Sequence, residues 1–251
     1  MKNTRRYPRW VLLANAVLVW LTSAVLTMLY SLLMVAWALP ARLIDPQKRS
    51  QHAIAAMWGR ALMRCHPGWR LEVLGRHHLH PARTYILVAN HQSLLDIAVL
   101  YALRRQFKWV AKAELFSIPF LGWAMGLAGY IKLARGRHGS IRETYEEAKR
   151  WLAKGMSVLF FPEGTRSHTG ELGPFKNGAF KLAVERRVPL VPIVIDGTRG
   201  LLPRRGWVVN PMGRIRLTVL SPIDVSAYGP EDDERLRDDV RRLMEQALER
   251  S

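Results

Sequence analysis

Residues 10–39 contain no charged side chain, no proline and no glycine, and only Asn15, Thr22, Ser23, Thr27 and Ser31 interrupt the apolar pattern. Roughly 20 apolar helical residues cross a bilayer core of about 30 Å, so the run predicts a membrane-embedded helical element. The apolar core of a secretory signal is shorter, about 7–15 residues, and the run is expected to be retained. Two geometries fit: one tilted spanning helix, or a hairpin of two short helices breaking near Thr22-Ser23. Lys2, Arg5, Arg6 and Arg9 precede the run, and Arg42, Lys48 and Arg49 follow it. Basic residues at both ends favour both ends facing the cytoplasm, and hence the hairpin. Trp10, Trp20, Tyr30 and Trp37 are candidate interfacial anchors.

The pattern then changes. Residues 51–65 place Ile54, Met57, Trp58, Ala61, Leu62 and Cys65 at helical spacing, stopped by Pro67-Gly68. From Leu71 onward short apolar runs alternate with amphipathic stretches. Residues 71–74, 85–89, 108–111, 130–134, 157–161, 190–195 and 213–220 read as strands; 94–103, 118–127, 140–154, 175–187 and a segment from Pro230 read as helices. In the 140–154 helix Ile141, Tyr145, Ala148 and Leu152 oppose Arg142, Glu146 and Arg150, and Gly155 is a fitting stop. This alternation predicts an α/β domain, residues 46–251, with a mainly parallel central sheet flanked by helices and a C-terminal amphipathic helix. The basic N-terminus and membrane-anchoring segment occupy residues 1–45.

Charge narrows the partners. Thirty-eight Lys and Arg against 20 Asp and Glu give a formal charge of +18, which implies an anionic partner: nucleic acid, an acidic membrane surface or a phosphorylated substrate. The apolar run selects the membrane. Cys65 is the single cysteine; it can form no internal disulfide and reads as a small apolar filler. The cluster Arg76-His77-His78-Leu79-His80-Pro81 has no neighbouring carboxylate or thiol and reads as a solvated loop rather than a metal site.

The chemistry-bearing stretch is Asn90-His91-Gln92-Ser93-Leu94-Leu95-Asp96, between a predicted strand and a predicted helix, where α/β proteins keep their chemistry. Five positions on one helix lie about 140° apart, so His91 and Asp96 meet only if His91 sits in the turn before the helix. Asp96 then fixes the imidazole tautomer and leaves the other ring nitrogen to take a proton. The alternative is a capping box, in which Asp96 only satisfies backbone donors. No Gly-x-Ser-x-Gly accompanies the pair, so a histidine base acting directly on a substrate hydroxyl is expected. Arg135 and Arg166, each following a strand, suit a phosphate. Glu163 is placed to orient Arg166 or bind a hydroxyl, with Gly164 and Thr165 as further donors.

Four blocks, in order, resemble the glycerolipid acyltransferases, particularly the 1-acylglycerol-3-phosphate (lysophosphatidic acid) acyltransferases: residues 90–96, 129–135 (Gly129-Tyr130-Ile131-Lys132-Leu133-Ala134-Arg135), 161–167 (Phe161-Pro162-Glu163-Gly164-Thr165-Arg166-Ser167) and 188–193. Residues 111–115 with Ile118-Pro119 also resemble the segment between the first two blocks. The resemblance implies His91 as general base on a glycerol hydroxyl attacking an acyl-CoA or acyl-carrier-protein thioester, with Asp96 orienting it. It implies Lys112, Arg135 and Arg166 on the acceptor phosphate, and Gly129, Glu163, Gly164 and Thr165 completing the acceptor site. It implies no metal and no bound cofactor, a membrane lipid substrate, and a short two-helix membrane element ahead of the catalytic domain. Lys132 and Ala134 fall where the family varies, which leaves the acceptor head group open. Another lyso-lipid acceptor, such as a lyso-ornithine lipid, keeps the same chemistry. A membrane-tethered nucleic-acid-binding protein would explain the charge but not His91, Asp96 and Glu163 at strand ends, and no nucleic acid partner is expected.

Overall fold

The structure, a computed structural model, describes residues 7–134, 139–167, 169–203 and 207–250. Its apolar run forms one helix, α1 (Arg9–Ile44), with no break at Thr22-Ser23. The polar side chains there are absorbed by the helix: Ser23 Oγ donates to the Val19 carbonyl at 2.7 Å, a back-bond that leaves the i→i−4 ladder intact. Among the described residues α1 alone is long and apolar enough to cross a membrane. The chain reverses one turn later, at residues 45–48, and enters α2 (Arg49–Arg64). Asp45 makes that reversal, accepting from the Arg49 and Ser50 amides at 2.9 and 2.6 Å and so satisfying donors that the first turn of a helix leaves open. Pairing is antiparallel: Gln51 Nε2 reaches the Met34 carbonyl at 3.4 Å, and Trp58 Nε1 the Thr27 hydroxyl at 3.1 Å. A two-helix element therefore exists, but its second arm is the amphipathic α2 and not half of the apolar run.

Seven strands follow: β1 (Trp69–Leu74), β2 (Ile86–Ala89), β3 (Phe107–Lys112), β4 (Ile131–Leu133), β5 (Ser157–Phe160), β6 (Leu190–Asp196) and β7 (Gly213–Val219). They form one sheet in the order β1-β7-β6-β2-β5-β3-β4. All neighbours are parallel except β6 and β7. Between and after them lie α3 (Leu95–Leu100), α4 (Leu121–Leu127), α5 (Ser140–Ala153), α6 (Gly178–Arg186), the short α7 (Thr198–Leu201) and α8 (Asp233–Glu249).

Helices cover both faces, which explains why the central strands read as unbroken apolar runs. Within β2, Leu87 and Ala89 point into one core and Ile86 and Val88 into the other. The first core joins residues of α2 and α3 to Ala16, Val19 and Met34 of α1; the second gathers Ala148 and Leu152 of α5, Phe180 of α6 and Leu236 and Val240 of α8. Burial of side chains such as Val19 and Met34 stabilises the fold by about 1.5–3 kcal/mol each, so α1 is packed onto the α/β domain and does not hang from it. Near its start, Asn15 Nδ2 and Trp20 Nε1 donate to the carbonyls of Val209 and Trp207 at 2.8 and 2.7 Å.

Candidate active site

Strands β4, β3, β5, β2 and β6 run in one direction, so the segments leaving their C-terminal ends emerge along one edge of the sheet. That edge receives residues 90–96 from β2, 161–167 from β5, Lys112 from β3 and Thr198 from β6.

His91 lies in the turn ahead of α3, and Asp96 is the second residue of that helix. The imidazole Nδ1 is 2.8 Å from Asp96 Oδ2. The same oxygen accepts from the backbone amides of Gln92 and Ser93 at 2.7 and 2.8 Å, while Ser93 Oγ accepts from the Leu95 amide at 3.2 Å. Capping and orientation are thus one arrangement: the helix start that needs an acceptor holds the carboxylate that fixes the ring. Asp96 is fully buried and the His91 side chain is 15 % exposed. An Nδ1–H donated to Asp96 leaves Nε2 with its lone pair. One face of the ring is covered by Phe161, stacked at 4.1 Å with an 18° interplanar angle.

Two further braces fix the turn. Glu163 Oε1 accepts from the His91 amide at 2.9 Å and Oε2 from the Gly173 amide at 3.0 Å. Burial pushes the Glu163 carboxyl up, and the two amides oppose the shift. Sequence reasoning placed Glu163 at the acceptor or at Arg166; here its oxygens hold backbone of the site itself. Asn90 exchanges a pair of hydrogen bonds with Ile195, Nδ2 to the carbonyl at 2.9 Å and the Ile195 amide to Oδ1 at 2.7 Å, locking the end of β2 to β6.

The remaining candidates are placed less tightly. Lys112, at the end of β3, is 49 % exposed and pairs with the exposed Glu114 at 2.9 Å. Gly164 has a left-handed φ of 67° in the tight turn its amide closes onto the Phe161 carbonyl at 3.0 Å. Thr165 is exposed and donates to the Arg166 carbonyl at 3.2 Å; Arg166 is half-buried. Arg135 lies outside the described residues. Gly129 does another job. It ends α4 with φ of 69°, its amide on Gly126 and the next amide on Met125, the Schellman pattern in which glycine escapes the Cβ penalty. A Cβ there would also meet the Trp151 ring at 2.5 Å, so the backbone alone requires glycine at this position. Cys65 is exposed at the end of α2, not a buried filler. In the histidine cluster, His78 Nδ1 bonds the Val219 carbonyl at 2.9 Å, and among the described residues no group of three or more His, Cys, Asp or Glu is arranged to hold a metal ion.

Sequence reasoning missed Thr198 and Phe161. Thr198 is fully buried and donates its hydroxyl to Asp96 Oδ1 at 2.5 Å. Its only signal was its place just beyond an apolar strand. A cavity of about 420 Å³ is lined by Gln92, Gly170, Asp196, Gly197 and Arg199 among others, the chain neighbours of His91 and Thr198 included.

The sequence profile of the family described as Acyltransferase matches residues 70–196. A chloroplastic 1-acyl-sn-glycerol-3-phosphate acyltransferase of Brassica napus is 36 % identical over 203 residues, covering 80 % of this chain and 57 % of the relative. The alpha form of that enzyme from Mus musculus is 38 % identical over 179 residues, covering 70 % of this chain and 63 % of the relative. The chain therefore spans less than two thirds of the length of these relatives. The crystal structure of the 1-acyl-sn-glycerophosphate (LPA) acyltransferase PlsC from Thermotoga maritima superposes with a TM-score of 0.81 at 26 % identity, covering 96 % of each chain. With a profile match over half its residues and its site inside or beside that span, this chain belongs to the Acyltransferase family.

Proposed function

We propose that the chain transfers an acyl group from a thioester donor, acyl-CoA or acyl-carrier protein, to the free hydroxyl of 1-acyl-glycerol-3-phosphate, giving phosphatidic acid. The observation that carries this reading is the state of His91. Its ring is oriented by a buried carboxylate, and among the described residues it hydrogen-bonds through Nδ1 alone, with no serine or cysteine side chain bonded to it. A base without a protein nucleophile acts on the substrate itself. Nε2 takes the lipid hydroxyl proton as the oxygen attacks the thioester carbonyl. Asp96 stabilises the imidazolium that forms, and the collapsing tetrahedral intermediate expels the thiolate, which receives the proton from Nε2. No resident metal or cofactor enters this scheme.

Cations at the ends of β3 and β5, Lys112 and Arg166, together with Arg135 beyond β4, supply the acceptor's phosphate site; paired guanidinium donors suit phosphate oxygens. Both donor types are anionic and suit the charge of +18.

We further read α1 as lying within one leaflet. A helix of 36 residues is about 54 Å long, yet residues from Asn15 to Ala41 pack on the domain along its length. Its other side presents Trp10, Val17, Leu21, Leu29 and Leu39, each more than half exposed. Ile118 and Trp123, exposed beside or on α4, which packs on α1, extend that surface. Anchorage in this manner keeps both ends and the strand edge on the cytoplasmic face, where a lyso-lipid reaches His91 sideways from the bilayer.

The test is an acyl-transfer assay on vesicles containing lysophosphatidate, a lyso-ornithine lipid or lysophosphatidylethanolamine, each with acyl-CoA and with acyl-carrier protein. Labelled phosphatidic acid with at least one donor is expected. Acylation confined to the phosphate-free acceptor would reassign the substrate, and salt-sensitive DNA binding without acyl transfer would overturn the reading.

A further inference from the structure

The carboxylate of Asp96 is unevenly served. Oδ2 receives three donors, from His91 Nδ1 and the Gln92 and Ser93 amides. Oδ1 receives the Thr198 hydroxyl at 2.5 Å. Both residues are completely buried, so no bulk water replaces a donor that is removed. A carboxylate oxygen left unpaired in such a place is costly. It regains a partner only by rotating about Cβ–Cγ or shifting its helix, and either movement displaces the oxygen that holds the imidazole.

Thr198 is itself rigidly delivered. It starts α7 directly after β6, and the preceding Gly197 has a left-handed φ of 86°. A Cβ on Gly197 would lie 2.1 Å from the Arg214 carbonyl oxygen of β7, so only glycine makes this turn against the neighbouring strand. One residue before Asp196, Ile195 is locked to Asn90 by the reciprocal pair already described. The strand that carries Thr198 is thereby registered against the turn that carries His91.

From this geometry we propose that Thr198 is a positioning residue for the acyl-transfer reaction: its hydroxyl sets the rotation of the Asp96 carboxylate, and through it the direction in which His91 presents Nε2. The inference rests on the assignment of His91 as the base. It makes Thr198 the third member of a hydroxyl–carboxylate–imidazole relay of orientation, in which no proton leaves the threonine. Loss of the partner that orients a metal-bound imidazole typically costs about 10- to 100-fold in affinity or activity, and a loss of that order is expected for an imidazole oriented through Asp96.

Two substitutions separate the hydroxyl from the methyl group. Thr198→Val keeps the shape and removes the donor; Thr198→Ser keeps the donor and removes the methyl. Steady-state kinetics on lysophosphatidate vesicles, with thermal unfolding measured in parallel, are expected to show kcat lowered about 10- to 100-fold in Thr198→Val. Both KM values should stay within about twofold, and Thr198→Ser should remain within about threefold of the parent. If Thr198 merely fills space, the order reverses and Val behaves like the parent. That result, equal impairment of Val and Ser, or a loss expressed in KM alone overturns the proposal. Should Thr198→Val fail to fold, a fully active Thr198→Ser still supports the proposal and an impaired one refutes it. His91→Ala in the same assay separates the two layers: if it remains active the base assignment fails, whereas an inactive His91→Ala beside a fully active Thr198→Val sinks only the role of Thr198.

Discussion

The two sides of the strand edge are built differently. On the β2–β6 side, Asp96 and Thr198 are fully buried and every oxygen of the Asp96 carboxylate is engaged by short hydrogen bonds. On the β5–β3 side, Lys112 is half exposed and its carboxylate partner Glu114 more so. The difference matches two tasks. A base must present one nitrogen in one direction, and misplacement of that atom is expensive in rate. A cation that binds phosphate needs reach more than direction, because its attraction falls off slowly and solvent moderates it. On the proposed assignment the base is held by backbone amides, buried partners and the Phe161 ring reaching across from the end of β5, whereas Lys112 meets the acceptor from a solvent-exposed side chain.

This contrast can be broken by substitution. The largest effect is expected on the fixed side. In Asp96→Asn the amide oxygen can still accept from His91 Nδ1 and the Gln92 and Ser93 amides if its NH2 turns to the Thr198 hydroxyl, but the negative charge is lost. Without a carboxylate to stabilise the imidazolium, kcat should fall by about 10³-fold or more, the order seen for the Asp→Asn replacement in a Ser-His-Asp triad, with KM little changed; a fall below tenfold would show that Asp96 only caps α3. On the exposed side the effect moves to KM. Arg166→Ala should raise KM for lysophosphatidate by about tenfold, the size of one charge-assisted contact of about 1.4 kcal/mol, while kcat holds; an unchanged KM points to a phosphate-free acceptor. Lys112→Ala should do the same more weakly, since the Glu114 pair already satisfies part of its charge, and added salt should shrink both effects.

The smallest effect concerns stability and Lys108. Its ammonium is buried, donating to the Ala128 and Lys48 carbonyls at 2.9 and 3.3 Å and lying over the Trp151 ring. Burial, followed by the neighbouring Lys48 charge, pushes it down to about 7 from an ordinary 10.5. Between those values the unfolded chain binds the proton and the folded chain does not, so this group's contribution to stability rises with pH across that window. Raising the pH from 7 to 9 should increase the melting temperature of the parent by a few degrees more than that of Lys108→Met; equal pH slopes would show that Lys108 stays charged in the folded protein.

Local pattern carried much of this architecture. Unbroken apolar runs marked strands covered on both faces, such as β2, and Gly155 marked the end of α5, where it again closes a Schellman pair. What escaped was set by distance in the chain. Thr198 meets Asp96 across 102 positions and Asn90 meets Ile195 across 105, and no spacing rule reaches so far. Of the two geometries left open for the apolar run, the single helix is the one formed, because hydroxyls can bond back into a helix, as Ser23 does; the reversal came where the Asp45 carboxylate could serve the next helix start. Glu163 and Gly129 stood out by motif, but motif did not show the backbone roles they have, one bracing the His91 and Gly173 amides and the other turning the chain after α4. Helix α4 began later than its apolar run because Phe120 takes a left-handed φ of 63° immediately before it.

The most direct test is single-turnover acyl transfer to lysophosphatidate by His91→Ala in membranes, at saturating donor and acceptor. Loss of a positioned base should slow the chemical step by about 10²–10⁴-fold while both substrates still bind; a rate within a few-fold of the parent would contradict the assignment of His91 as the base.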